Sequence, residues 1–112
     1  MAYKRIDAKK IAREYGNSIA SAVHIDGLML FGSSARGQMK EGSDIDLIVL
    51  SRDFARMPLM RRLQFLNCAR RGSALWVPMD ILGFTPDEFR ALKKSESPNL
   101  RGVYRDARKV YP

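Results

Sequence analysis

The apolar residues near the N-terminus repeat at the spacing of a helix. Large or small apolar side chains recur every three or four positions, at Ala8, Ile11, Ala12, Tyr15, Ile19 and Val23. This spacing predicts an amphipathic helix that packs one face against a core. The polar run Gly16-Asn17-Ser18 interrupts the pattern and predicts a break or a kink in that helix.

Apolar runs of strand length follow this helix. Residues 25–31 predict a strand that ends in a turn. Residues 44–50 predict the clearest strand, buried on both faces, because the run is continuously apolar after its two aspartates. Residues 75–84 predict a third strand, and residues 110–111 predict a short last one.

Helix-forming segments lie between and after the strands. Residues 32–34 are typical of a strand-to-helix junction, with Ser33 as the N-cap. Residues 53–72 predict a helix that Asp53 or Pro58 opens and Gly72 ends. Residues 85–94 predict another, since Thr-Pro-Asp-Glu supplies a cap, a first-position proline and two acids. Ser97-Pro98 predicts the start of a last helix.

This alternation predicts one α/β domain over residues 1–112, a sheet with helices packed on it. The segment between the second and third strands is long enough for a helical crossover. Such a crossover joins parallel strands and is right-handed. The shorter segment between the first two strands fits either orientation.

Composition narrows the classes of function. The 112 residues include 20 Lys and Arg against 12 Asp and Glu, so the net charge of +8 favours a polyanionic partner. One Cys and one His exclude both an internal disulfide and a Cys/His zinc site. No signal peptide or membrane span is evident, so we expect no membrane contact, and the single cysteine indicates a reducing compartment.

Two aspartates open the buried strand. Asp44 and Asp46 are two positions apart, so their side chains point to the same face. Carboxylates so placed repel each other, and a divalent cation such as Mg²⁺ relieves that repulsion. The alternative is that both lie at an exposed strand end and pair with arginine or solvent.

Two further features add to this pair. Gly32 and Ser33 stand where a strand passes into a helix, and free backbone N–H groups there bind phosphate. The alternative is an ordinary helix cap. Asp80 is a lone acid inside an apolar strand, where a buried acid needs a partner or a metal. It would complete a three-carboxylate cluster, or it would pair with arginine on an edge strand.

The spacing of these residues resembles the DNA polymerase β-like nucleotidyltransferase superfamily. Its signature is Gly-Ser, ten residues, then Asp-x-Asp, which this chain carries as Gly32-Ser33 and Asp44-Ile45-Asp46. Residues 32–37 and 43–47 are similar to the minimal nucleotidyltransferases of bacteria and archaea. Residues 78–89 resemble the strand with the third carboxylate and the helix after it. The resemblance covers nearly the whole chain from about residue 10.

The resemblance implies a polymerase β palm-like fold with a small mixed sheet and helices packed on it. It also implies two Mg²⁺ ions, a nucleoside triphosphate, usually ATP, and a prokaryotic cytoplasmic setting. It implies that Asp44, Asp46 and Asp80 bind metal and catalyse, and that Gly32, Ser33 and Arg36 bind the triphosphate. It also implies a partner, a small HEPN-domain toxin, to whose tyrosine AMP would be transferred. The chain would then be an antitoxin, and it has no room for its own acceptor-binding domain.

Other interpretations stay open beside this one. The chain could neutralise its partner by binding alone, or modify RNA or a small molecule. Self-association is also open, and nucleic-acid binding is weakly supported because no aromatic stacking pattern accompanies the arginines. The arginines of residues 52–71 are expected on a solvated helix face. Met57, Met60, Trp76 and Met79 are expected in the core, and His24 in a structural role.

Overall fold

The computed structural model describes residues 7–35, 44–95 and 107–112. Its elements, in chain order, are α1 (Ala8–Ile19), β1 (Gly27–Leu30), α2 (Gly32–Ala35), β2 (Ile45–Leu50), a 3₁₀ helix (Arg52–Arg56), α3 (Leu59–Cys68), α4 (Ser73–Trp76), β3 (Met79–Phe84), α5 (Pro86–Lys94) and β4 (Arg108–Tyr111). Within these ranges, no helix is both long and apolar enough to cross a membrane.

The four strands form one mixed sheet in the order β3-β2-β1-β4. The inner strand β1 is antiparallel to both of its neighbours, β2 and β4. β2 and β3 are parallel, so the predicted helical crossover between them is confirmed. The predicted terminal strand is also confirmed, as β4. The helix expected from residue 97 lies outside the described residues.

Helix α1 runs without a break, so the predicted interruption at residues 16–18 is wrong. Asp7 caps the helix by accepting a hydrogen bond from the backbone N–H of Lys10. Gly16 is buried, and a Cβ atom there would lie 2.8 Å from the Leu28 side chain and 3.1 Å from the Tyr111 ring. Glycine at this position lets α1 approach the sheet closely.

Helices cover one face of the sheet and bury its apolar side chains. Leu28, Leu30, Leu47 and Val49 on this face have almost no exposed surface. Ile48 points to the other face and is also fully buried, which confirms that β2 is buried on both sides. The phenol of Tyr15 on α1 donates a 2.6 Å hydrogen bond to the carbonyl of Leu66 on α3.

The segment before β3 is helical rather than extended. Residues 75 and 76 belong to α4, and the strand begins only at Met79. The guanidinium of Arg70 donates to the carbonyls of Ala74 and Val77, which holds this short turn in place. Trp76 is 83% exposed and Met60 is 69% exposed, so both predictions of core positions are wrong. A short apolar run does not distinguish a helical turn from a strand.

Arg62 is buried, with 4% of its surface exposed. Its guanidinium donates to the carbonyls of Phe54, Met57 and Gly83 and to both carboxylate oxygens of Glu88. It thus joins the 3₁₀ helix, α3, β3 and α5 through one side chain. The prediction that these arginines line a solvated face is wrong for Arg62, because buried carbonyls need its donors.

The start of α5 is as the sequence predicts. Thr85 and Glu88 form a reciprocal capping box, and Pro86 takes the first helical position. The same Glu88 carboxylate accepts hydrogen bonds from the Arg62 guanidinium, and these hold the pKa of Glu88 below its usual value. Stability from this ion pair is therefore present at neutral pH and is lost as acid protonates Glu88.

Replacing Arg62 by alanine should lower the free energy of unfolding by at least about 3 kcal/mol, because it removes five hydrogen bonds, three to backbone carbonyls and two to the Glu88 carboxylate. Urea denaturation followed by circular dichroism measures this. The neighbouring Arg61→Ala is the control, since Arg61 is exposed and should change stability by less than about 0.5 kcal/mol. Equal effects of the two substitutions would contradict the role given to Arg62.

Candidate active site

Two of the predicted acids are neighbours across the parallel strands. Asp46 on β2 lies in register with Asp80 on β3. Adjacent strands are about 4.8 Å apart, and residues in register point to the same face. Both side chains leave the sheet on the face opposite Leu47 and Val49. Asp44 comes one residue before β2 and is exposed.

The surroundings of Asp46 disfavour its charged form. Partial burial raises the pKa of Asp46, and the negative charges of Asp80 and Asp44 raise it further. In the described part of the chain, no arginine, lysine or histidine forms a salt bridge with any of the three. The alternative that these acids pair with arginine is therefore not realised among the described residues. Asp80 is exposed on an edge strand, so the expectation that it is buried is wrong.

The turn from β1 into α2 approaches Asp46 closely. We call residues 31–35 the β1–α2 corner. Gly32 in this corner has a φ of 60°, a conformation that favours glycine. A Cβ atom on Gly32 would lie 2.9 Å from the carboxylate oxygen Oδ2 of Asp46. The absence of a side chain at Gly32 therefore lets the corner and the carboxylate lie against each other.

Ser34, which sequence reasoning did not select, also belongs to this site. It is buried, and its Oγ accepts a 3.0 Å hydrogen bond from the backbone N–H of Asp46. The same Oγ lies 3.5 Å from the carbonyl oxygen of Asp44. Nothing in residue type distinguishes Ser34 from Ser33, so only its burial in the fold reveals this contact.

The two remaining predicted residues are less completely described. Ser33 lies inside α2, which begins at Gly32, so the prediction of Ser33 as the N-cap is wrong. Gly32 makes the turn with its positive φ, and the helix starts two residues earlier than an N-cap at Ser33 would allow. Arg36 lies outside the described residues. The roles of Ser33 and Arg36 toward a triphosphate stay predictions.

The residues present suit a divalent cation in their chemistry. Asp46 and Asp80 offer only oxygen ligands, which Mg²⁺ prefers, and a cation would relieve the repulsion that raises the pKa of Asp46. As their side chains stand, the described residues contain no group of three His, Cys, Asp or Glu arranged to hold a metal ion. Metal binding by Asp44, Asp46 and Asp80 therefore stays a prediction.

Comparison with known proteins supports the same chemistry. The sequence matches the family described as "Nucleotidyltransferase domain" over residues 9–104. The chain belongs to this nucleotidyltransferase family. A search of curated proteins found no match. The structure is similar to a crystal structure of a candidate nucleotidyltransferase from Sulfolobus solfataricus, with a TM-score of 0.64 and 22% identity, over 95% of this chain and 87% of that one.

These findings confirm the fold class and the general chemistry. The mixed sheet with its helices is the polymerase β-like nucleotidyltransferase fold. Nucleotidyltransferase domains generally use a nucleoside triphosphate and a divalent metal. Gly32 and Asp46, one residue from each half of the Gly-Ser and Asp-x-Asp pattern, lie against each other at the β1–α2 corner.

The lone histidine lies at the other end of the sheet. His24 is exposed, and its Nε2 is 3.3 Å from a carboxylate oxygen of Asp26. Its backbone N–H donates a 2.8 Å hydrogen bond to Asp53. Asp26 also accepts from Arg52, which holds the pKa of Asp26 low. These contacts fit the structural role expected for His24.

Replacing Asp46 by asparagine should raise the melting temperature at neutral pH by about 2–4 °C. Folding raises the pKa of Asp46, so the protein loses stability as the pH rises and this carboxyl becomes charged. Asparagine carries no charge, so the variant avoids that loss. The gain should vanish in acid. Thermal denaturation across the pH range measures it.

The matched control is Asp26→Asn, which should act in the opposite direction. Folding lowers the pKa of Asp26, so its charge stabilises the protein at neutral pH and the amide should lower the melting temperature. A loss of stability in both variants would contradict the repulsion at Asp46.

Gly32→Ala should destabilise the protein more than Gly72→Ala. Both glycines have positive φ values, 60° and 57°, so each substitution strains the backbone, by about 1 kcal/mol or more. At Gly72 an added Cβ meets nothing within 4 Å, whereas at Gly32 it displaces the Asp46 carboxylate. Urea denaturation compares the two, and equal losses would show that Gly32 is needed only for its backbone conformation.

Proposed function

We propose that this chain transfers AMP from ATP to a hydroxyl group of an acceptor. The observation that carries the proposal is the contact between the β1–α2 corner and Asp46, beside the in-register Asp80. A glycine turn that opens a helix suits phosphate oxygens, and adjacent carboxylates that form no salt bridge with any described residue suit Mg²⁺. Membership of the nucleotidyltransferase family supports nucleotidyl transfer as the reaction.

Each residue would have a distinct role in this reaction. Backbone N–H groups at Gly32, together with Ser33 and Arg36, would bind the triphosphate. Asp44 and Asp46 would hold Mg²⁺ against the phosphates, and Asp80 would hold a second ion. When bound, the ions neutralise negative charge that develops on the reacting phosphate.

The reaction forms one bond and breaks one. The acceptor oxygen attacks the α-phosphorus of ATP, and the bond from that phosphorus to the bridging oxygen of the β-phosphate breaks. Pyrophosphate leaves with the bonding electrons. Asp80 would accept the proton of the acceptor hydroxyl, which makes the attacking oxygen more nucleophilic.

We propose a tyrosine of a HEPN-domain toxin as the acceptor, with this chain as the antitoxin in a prokaryotic cytoplasm. Exposed large apolar side chains support a protein partner that would bury them, namely Leu59, Met60, Leu75 and Trp76. The net charge of +8 favours a partner with an acidic surface. The resemblance to minimal nucleotidyltransferases supports this choice of partner.

Incubation with ATP, Mg²⁺ and the HEPN-type product of a neighbouring gene tests this proposal. ATP labelled in the α-phosphate should label the partner, whereas ATP labelled in the γ-phosphate should not. Asp44→Asn combined with Asp46→Asn should reduce labelling by at least about 100-fold, because both proposed metal ligands are lost.

The control is Asp87→Asn, which removes a carboxylate that is 85% exposed at the opposite end of the sheet and should label normally. Labelling that survives in the double variant would overturn the proposed chemistry. A double variant that still binds and silences the toxin without labelling would instead show an antitoxin that acts by binding alone.

A further inference from the structure

We infer that Ser34 is a positioning residue that orients Asp46 for metal binding and couples it to the phosphate-binding corner. The inference rests on the proposed function, because it assigns Asp46 to a divalent cation. Ser34 holds the backbone of Asp46 and not its carboxylate, so it acts through another residue.

The position of Asp46 in the sheet explains why its backbone needs such a partner. The pairing of β1 with β2 ends at Leu30 and Leu47, so Asp46 lies one residue beyond the ladder. The N–H of Ile45 bonds to Pro78 on the β3 side, and strand alternation turns the backbone groups of Asp46 toward β1. The residue opposite Asp46 in this register is Phe31, which lies just after β1, where the chain turns into α2.

The β1–α2 corner supplies both missing partners. The N–H of Phe31 donates a 3.1 Å hydrogen bond to the carbonyl of Asp46. The hydroxyl of Ser34 accepts from the N–H of Asp46 at 3.0 Å. A serine side chain on a helix thus takes the place of a strand residue, and the corner holds Asp46 through both of its backbone groups.

The contact is protected from water, and it constrains the position of the carboxylate through the backbone of Asp46. Ser34 has 5% of its surface exposed, so loss of its hydroxyl leaves the N–H of Asp46 without that acceptor. The Asp46 carboxylate would no longer be held against Gly32, whose missing side chain fixes how close it can come. Displacement of about 1 Å is enough to impair a reactive site.

Titration with Mn²⁺ tests this role apart from catalysis. Electron paramagnetic resonance measures free Mn²⁺, with and without a non-hydrolysable ATP analogue. Ser34→Ala should weaken Mn²⁺ binding by about 10-fold, as loss of a group that orients a metal ligand does. In the labelling reaction, kcat should fall while KM for ATP changes little.

Ser51→Ala is a matched control, because Ser51 directly follows the same strand, β2. Ser51 is fully buried at the opposite end of β2, and its Oγ accepts a 3.1 Å hydrogen bond from the backbone N–H of Asp53. Both variants therefore lose a buried hydroxyl that accepts from an aspartate N–H. Both should lose stability, but only Ser34→Ala should lose Mn²⁺ affinity.

The outcomes separate this inference from the proposed function. A folded Ser34→Ala protein with wild-type Mn²⁺ affinity overturns the role of Ser34 and leaves the proposed function standing. Wild-type protein that binds no Mn²⁺, even with the analogue, overturns both. If Ser34→Ala does not fold, Ser34→Cys keeps the size with a weaker acceptor, and unchanged Mn²⁺ affinity in that variant overturns the inference.

Discussion

The parallel pairing of β2 with β3 is the constraint on which the site depends. It sets Asp46 beside Asp80, although the two residues are far apart in the chain. The crossover between these strands is held by Arg62, which bonds to carbonyls of the 3₁₀ helix and β3 and to Glu88 on α5. A buried guanidinium at one end of the sheet thus ties the crossover to β3, whose register with β2 brings two carboxylates together at the other end.

The two ends of the sheet have opposite electrostatic character. At the end with Asp26 and Arg52, charges are paired and the pKa of the carboxyl is lowered. At the end with Asp46, partial burial and adjacent like charges raise the pKa of the carboxyl. The fold therefore accepts a local loss of stability at the carboxylates, a pattern typical of functional sites. A bound cation would replace the repulsion between these carboxylates by attraction to the ion.

Local signals predicted the elements whose causes are local. The capping box of α5 needs only residues 85–88, and the buried strand β2 needs only a continuous apolar run. Predictions failed where distant contacts decide. Gly16 is a close-packing position rather than a break, Arg62 is buried rather than solvated, and Trp76 is exposed rather than in the core. For Gly16 and Arg62, contacts with residues distant in the chain decide the outcome. For Trp76, the direction in which the chain turns before β3 decides its exposure.

The sequence by itself determined which residues are candidates for the site, because the Gly-Ser and Asp-x-Asp spacing predicts a glycine turn and two acids at adjoining strand ends. It also predicted an alternating fold with one parallel crossover. Only the tertiary structure decided that Asp80 is in register with Asp46, and that Ser34 rather than Ser33 holds the Asp46 backbone. Strand register and side-chain burial depend on the packing of many distant residues, which residue types and spacing along the chain do not contain.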